Sequence, residues 1–124
     1  MEPETLGLVL KVVATVVIGV PLLAFLLQER LIFMPQPLSE SARADIQTRF
    51  PKGQSVFGQA ADGTKVHAWH VAGPPGAPLV LYFGGNAEEV SWMLGEADAA
   101  PGVGWLLVDY RGYGASEGLS LIHI

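Results

Sequence analysis

Residues 79–109 read LVLYFGGNAEEVSWMLGEADAAPGVGWLLVD, and this stretch decides the fold. It contains two short apolar runs, Leu79–Phe83 and Trp105–Val108, of the kind found in strands that are covered on both faces. Between the runs, four apolar residues recur at helical spacing: Val90, Met93, Leu94 and Ala97. A strand, a helix and a strand within roughly 30 residues predict a βαβ unit with two parallel strands.

A β-hairpin is predicted ahead of this unit. Ser55–Ala60 and Lys65–Val71 are rich in β-forming residues, and Asp62-Gly63 between them is a strong signal for a two-residue hairpin turn. The pattern therefore predicts the α/β class, with a hairpin that leads into a βαβ unit.

Ligands of such sheets bind at the carboxyl ends of the strands, where two loops are expected, Gly84–Glu88 and Asp109–Gly118. In the first loop, the glycines leave backbone N–H groups that could hold an anion, and Asn86 with Glu89 resembles the start of a capped helix. A transient oxyanion fits better than a nucleotide phosphate, because acidic residues follow at once and no phosphate-binding motif is present. The alternative is that the glycines only permit a tight turn and Asn86 only caps the helix.

The second loop contains Gly114–Gly118, which spells the G-x-S-x-G string of a nucleophile elbow. Ser116 is rejected as a nucleophile, because an elbow joins its strand to a helix directly, whereas here three residues separate the string from the strand and nothing helical follows. We expect a structured loop in which Arg111 holds backbone carbonyls or a carboxylate such as Asp109 or Glu117.

Composition excludes several function classes. The absence of Cys excludes a disulfide scaffold, Cys-ligated zinc and a thiol nucleophile. The net charge of -5 argues against a nucleic-acid partner, because phosphate binding needs a basic surface. No metal or other cofactor is expected: His67 and His70 lie three apart on a strand, so they point to opposite faces and do not readily share a metal.

Leu6–Leu27 is predicted to be a single-pass membrane anchor. Of its 22 residues only Lys11 is charged, and a helix of this length spans roughly 33 Å, enough for a hydrocarbon core of about 30 Å. Lys11 lies where its side chain can reach the headgroups, and Pro21 does not prevent insertion. A cleaved signal peptide and a buried core helix are the alternatives, and basic residues on both sides leave the orientation open.

Together these features resemble the α/β-hydrolase superfamily, in particular the membrane-anchored branch of BEM46-like and ABHD13-like serine hydrolases. The resemblance rests on the apolar anchor, on Leu31–Pro35, on Leu81–Ala87 and on Asp109–Gly114 with the Ser-Glu-Gly that ends the loop. It implies a sheet in which the strand Trp105–Tyr110 lies between the hairpin and Leu79–Phe83. It also implies a backbone oxyanion donor at Gly85 and Asn86, although Gly84 stands where the family often has His.

The family's nucleophile, acid and histidine come later in the chain, so the resemblance implies an N-terminal fragment that lacks the triad. We expect four parts: a membrane anchor over residues 1–28, a linker over 29–53, the first part of an α/β-hydrolase domain over 54–118, and a non-native tail over 119–124. The tail resembles the translation of a transposon-end sequencing adapter. Within the linker, Ser39–Arg49 is expected to form a short polar helix or a loop.

The expected function is therefore that of a truncated membrane-anchored serine hydrolase, inactive by itself, whose parent protein acts on a small-molecule, lipid or peptide acyl substrate. The alternative is a non-catalytic, membrane-attached binding or scaffold module with the same fold. A nucleotide-binding α/β domain is a third possibility, weakened by Glu88 and Glu89. The substrate and the oligomeric state stay open.

Overall fold

The computed structural model describes residues 2–119, apart from the side chains of residues 29–31. The chain divides into two compact units after Phe33. The expected tail over residues 119–124 lies outside the described residues except for Leu119.

The first unit is a helix with one widened turn. Helix α1 spans Pro3–Ala14, a π-helical turn spans Thr15–Gly19, and helix α2 spans Val20–Ile32. Pro21 has no N–H, and its ring crowds the carbonyl four residues earlier, which falls inside the widened turn. A π-turn at this point relieves that crowding, so the proline changes the hydrogen-bond pattern without ending the helix.

The 26-residue stretch Pro3–Gln28 is long and apolar enough to cross a membrane. A signal sequence near an N-terminus meets the same criteria of length and composition.

The second unit is built on a mixed sheet with the strand order β1-β2-β4-β3. Its strands are β1 (Gly53–Gln59), β2 (Lys65–Val71), β3 (Leu79–Phe83) and β4 (Gly104–Val108). The pairs β1–β2 and β2–β4 are antiparallel, whereas β3 and β4 are parallel. The structure thus confirms the α/β class, the hairpin, the parallel pair and the central position of β4.

The hairpin turn is longer than predicted. The Ala60 N–H donates to the Thr64 carbonyl over 2.9 Å, and the Gly63 N–H donates to the Ala60 carbonyl over 2.9 Å, so three residues form the loop. A two-residue type I′ turn requires positive φ at both central residues, but only Gly63, at 87°, adopts it. Asp62 instead accepts a hydrogen bond from the Thr64 N–H over 3.1 Å.

The helical segment of the βαβ unit is capped at Glu89, three residues later than the predicted cap at Asn86. A 3₁₀ turn spans Val90–Met93, and helix α4 spans Leu94–Ala99. The residue that caps the turn is Glu89, whose carboxylate accepts the Ser91 N–H over 2.9 Å. Asn86 does not cap the 3₁₀ turn, because residues 85–88 form a separate turn before it.

One face of the sheet carries the core. The predicted apolar stripe is confirmed: its four residues are buried and pack against β2 and β4, the full cluster being Val90, Met93, Leu94, Ala97, Trp69, Val71 and Leu107. Helix α3 (Glu40–Arg49) is capped by Ser39, whose Oγ accepts the Ala42 N–H over 3.2 Å. Its Ile46 packs against the same cluster. Within the region expected to be a linker, the structure therefore places a helix that contributes to the core.

Strand β3 is not covered on both faces as its apolar run predicted. Leu79, Leu81 and Phe83 are 54%, 58% and 52% exposed. Tyr82, which alternates with them, packs against the core cluster. In the described chain β3 is also an end strand of the sheet, so it presents an apolar face together with an unpaired edge, a combination that favours association with other strands.

We expect residues 34–124, expressed without the apolar helix, to self-associate through β3. Leu81→Lys places a charge on the exposed face and should shift the protein from aggregate toward monomer in sedimentation velocity. Gln59→Lys adds the same charge on exposed β1 and should not do so. Equal behaviour of the two variants would show that β3 is not the contact.

Candidate functional site

Two loops leave the same edge of the sheet because β3 and β4 are parallel neighbours. The loop after β3 contains Gly84–Glu89, and the loop after β4 contains Asp109–Gly118. They touch where the Tyr113 hydroxyl donates to Asn86 Oδ1 over 3.1 Å. The residue pattern predicts the candidate chemistry in these two loops, and the structure brings them together.

The β3 loop folds around the carboxylate of Glu88. The Gly85 N–H donates to Glu88 Oε2 over 2.6 Å. The Tyr82 hydroxyl and the Trp92 Nε1–H donate to Glu88 Oε1 over 2.6 and 2.7 Å. The loop therefore does hold an anionic group on a backbone amide, but the anion is one of its own side chains.

Gly84 and Gly85 leave room for neighbouring side chains, and neither adopts a positive φ. A Cβ on Gly84 would lie 3.0 Å from Val90 Cγ1, and one on Gly85 would lie 3.1 Å from Glu88 Oε2. The residue with positive φ is Ala87, at 60°. It sits in a turn that is closed by the Glu88 N–H donating to the Gly85 carbonyl over 3.3 Å.

Hydrogen bonds to Glu88 shift the protonation equilibria of this cluster. Donation by the Tyr82 hydroxyl, followed by that of the Gly85 amide, holds the pKa of Glu88 below its ordinary value, and the same bond raises the pKa of Tyr82. Burial raises the pKa of Glu89, the next residue. Glu88 is thus the member of the acidic pair whose charged form the loop favours.

The two predicted oxyanion donors lie on the exposed part of this loop. Gly85 and Asn86 are both exposed, and the Gly85 amide points at Glu88. Their role toward a substrate stays a prediction.

A buried pair that sequence reasoning missed lies behind the loops. His67 and Asp109 are both 0% exposed, and His67 Nδ1 lies 2.7 Å from Asp109 Oδ2. A carboxylate only accepts, so the bond places the ring proton on Nδ1. Asp109 Oδ1 also accepts the Val90 N–H over 3.3 Å. A signal existed: His67 occupies an inward position of β2, two residues before Trp69, where a polar side chain needs a partner.

Ser55 extends this pair into a chain of three residues. Its hydroxyl lies 2.9 Å from His67 Nε2 and accepts from Arg43 Nη1 over 3.1 Å. The order Ser–His–Asp is that of a catalytic triad, but the imidazole is fully enclosed, with the rings of Phe57 and Trp69 each 5.1 Å away. The group therefore ties β1 and β2 to the end of β4.

The β4 loop uses Ser116 in the backbone framework. Its hydroxyl accepts the His67 N–H over 2.8 Å and donates to the Asp109 carbonyl over 2.9 Å. A Cβ on Gly114 would overlap the Asp109 carboxylate. The loop is also paired with the chain before α3, since the Leu38 N–H donates to the Gly114 carbonyl over 2.7 Å. This geometry agrees with the rejection of Ser116 as a nucleophile.

Arg111 holds a carboxylate, as expected, but that carboxylate belongs to neither Asp109 nor Glu117. Arg111 pairs with Asp62 in the hairpin loop through both terminal nitrogens, with Nη2 donating to Oδ1 over 3.1 Å. Asp109 is engaged by His67, and Glu117 lies 3.9 Å from Lys65. The guanidinium lowers the pKa of Asp62 to about 2.

We expect Asp109→Asn to destabilise the sheet unit by about 3 kcal/mol. Both carboxylate oxygens are hydrogen-bonded in the buried site, and the asparagine amide would replace one of these acceptors with an NH₂ donor. Urea unfolding of the chain in detergent micelles, followed by tryptophan fluorescence, measures this change. Glu117→Gln removes an exposed carboxylate of the same loop and should cost less than about 1 kcal/mol. Similar losses for both would refute the central role of the buried pair.

No protein-family model matches the chain. Two curated relatives, the uncharacterized proteins Rv2307c of Mycobacterium tuberculosis strain H37Rv and MT2364 of strain CDC 1551, are each 35% identical over 115 residues. The match covers 89% of this chain and 40% of each relative, so the chain spans well under half of their length.

Solved structures that overlap the chain include an Agrobacterium vitis S4 protein described as a hydrolase, with 26% identity and a TM-score of 0.39 over 53% of this chain and 28% of that one. The Pyrococcus furiosus esterase Pf2001 overlaps at 17% identity and a TM-score of 0.46, over 73% of this chain and 36% of the esterase.

Proposed function

We propose that the chain is the N-terminal part of a membrane-anchored serine hydrolase of the α/β-hydrolase superfamily, in its BEM46-like branch, which cleaves an ester, thioester or amide. The observation that carries the proposal is the 2.6 Å bond between the Gly85 amide and a carboxylate oxygen, at the carboxyl end of a strand in a parallel pair. A backbone N–H at this position can bind negative charge that develops on a reacting carbonyl oxygen.

In the proposed reaction, a serine hydroxyl attacks the acyl carbon while a histidine accepts its proton. The carbonyl oxygen becomes an oxyanion, which accepts hydrogen bonds from the amides of Gly85 and Asn86. Collapse of this intermediate expels an alcohol, thiol or amine that takes up the proton, and water then releases the acid. The serine, the histidine and the carboxylate that orients it belong to the remainder of the longer protein.

The long apolar helix supports a membrane location for this activity. It would keep the sheet unit beside the bilayer, where lipid acyl groups as well as membrane-associated small molecules or peptides are within reach.

The full-length protein should react covalently with a fluorophosphonate probe, which labels activated serines. Gly85→Pro removes the amide donor and should lower the rate of labelling by about 10²–10³-fold, the usual effect of losing one oxyanion donor. Gly85→Ala keeps the amide at the same position and should lose much less. A full-length protein that folds but takes up no probe would favour a non-catalytic binding or scaffold module.

The membrane proposal has its own test. The chain should stay in the membrane pellet after alkaline extraction and keep its full mass. Val17→Arg places a charge in the middle of the apolar helix, at a cost of about 2.5–3.5 kcal/mol on insertion scales, and should release the protein, whereas Val17→Leu should not. A shortened protein in the soluble fraction would instead identify a cleaved signal peptide.

A further inference from the structure

Glu88 occupies the amide on which the proposed function depends. Its carboxylate accepts three hydrogen bonds of 2.6–2.7 Å, from the Gly85 N–H, the Tyr82 hydroxyl and the Trp92 Nε1–H. These donors come from the end of β3, from the loop and from the 3₁₀ turn, and together we call them the Glu88 cradle. Three short bonds from separate elements define a site of fixed shape for an oxygen anion.

The backbone is shaped to bring Glu88 into the cradle. Ala87 adopts a φ of 60°, a left-handed conformation that is unfavourable for a residue with a Cβ. The turn that contains it reverses the chain so that the Glu88 N–H reaches the Gly85 carbonyl over 3.3 Å. Gly85 has no Cβ that would crowd the carboxylate. Strain of this kind is concentrated at functional sites, where the surroundings hold it in place.

The cradle is open to solvent. Gly85 is exposed, and Trp92 is 56% exposed although its indole N–H is bound to Glu88. An oxygen anion from solution could therefore reach the same donors once the Glu88 side chain rotates away. This distinguishes Glu88 from Asp109, which is fully buried among its donors.

We propose that Glu88 is a resident anion that occupies the Gly85 amide and is exchanged for the oxygen anion that develops on the reacting carbonyl group, so that the β3 loop is a gated anion site. The inference rests on the proposed function and adds its regulation. While Glu88 is bound, the donors stay ordered but blocked, and the apparent affinity for an external anion is reduced by the fraction of molecules in which Glu88 has left. The ligand class is a small carboxylate or a tetrahedral oxyanion.

The test uses the 124-residue chain, labelled with ¹⁵N in detergent micelles and titrated with sodium acetate or with methylphosphonate at fixed pH and ionic strength. The Gly85 N–H and the Trp92 indole N–H report occupancy of the cradle. In the unaltered chain both signals should move little. In Glu88→Gln and Glu88→Ala they should move saturably, with an affinity at least about tenfold higher than in the unaltered chain.

Glu96→Gln is the matched control, because Glu96 is an exposed glutamate of α4 and its loss removes the same charge. If this variant binds the anions as the Glu88 variants do, general charge repulsion explains the effect and the gate is refuted. The gate is equally refuted if the Glu88 variants show no saturable shift. It is also refuted if the Gly85 and Trp92 signals broaden while those of β2 and β4 persist, because Glu88 would then hold the shape of the loop rather than block a site.

Failure of the gate and failure of the hydrolase proposal are distinguishable. Saturable anion binding in the Glu88 variants, with no probe labelling of the full-length protein, would leave a gated anion site in a non-catalytic module. Labelling of the full-length protein, with no anion binding in the Glu88 variants, would leave the hydrolase and remove the gate.

Discussion

The Asp109 carboxylate has no exposed surface, and the sheet unit is organised around its hydrogen bonds. A buried charged or polar group must find partners within the protein, and Asp109 finds His67 on β2 and the Val90 amide at the start of the 3₁₀ turn. His67 extends the chain of bonds to Ser55 on β1. One side chain at the end of β4 therefore fixes the hairpin, the turn and the loop that follows it.

Other features of the β4 loop follow from this constraint. Position 114 must be a glycine, because any Cβ there would occupy the place of the carboxylate. Ser116 lies across the start of the loop and binds two backbone groups at once, the His67 N–H of β2 and the carbonyl of Asp109, which follows β4. With the loop fixed in this way, Tyr113 is buried and its hydroxyl reaches Asn86 in the β3 loop. The buried pair thus also sets the position of the exposed turn.

Hydropathy patterns predicted the features that depend on which face of an element is apolar. The strands, the parallel pair and the stripe that includes Val90 and Leu94 follow from spacing alone. The start of the helix did not, because the turn at Ala87 depends on donors that come from Tyr82 and Trp92. The partner of Arg111 was also missed, since a surface charge can choose between several carboxylates that spacing does not rank. The G-x-S-x-G string at Ser116 illustrates the same limit of pattern matching: an elbow is defined by its strand-to-turn-to-helix geometry, and Ser116 instead lies in a loop where its hydroxyl binds the backbone.

Two carboxylates near this edge of the sheet accept hydrogen bonds from backbone amides, those of Asp109 and Glu88. They differ in solvent exposure, and this difference decides whether a ligand could replace them. Asp109 is fully buried, so a ligand could replace it at its hydrogen-bond donors only if the sheet unit opened. Glu88 accepts bonds of 2.6–2.7 Å, but its donors include an exposed glycine and an exposed tryptophan, so rotation of its side chain is enough to release these donors to solvent. A carboxylate bound to a backbone amide therefore stabilises the fold at Asp109, whereas at Glu88 the same kind of bond provides the exchangeable contact that a gated anion site requires.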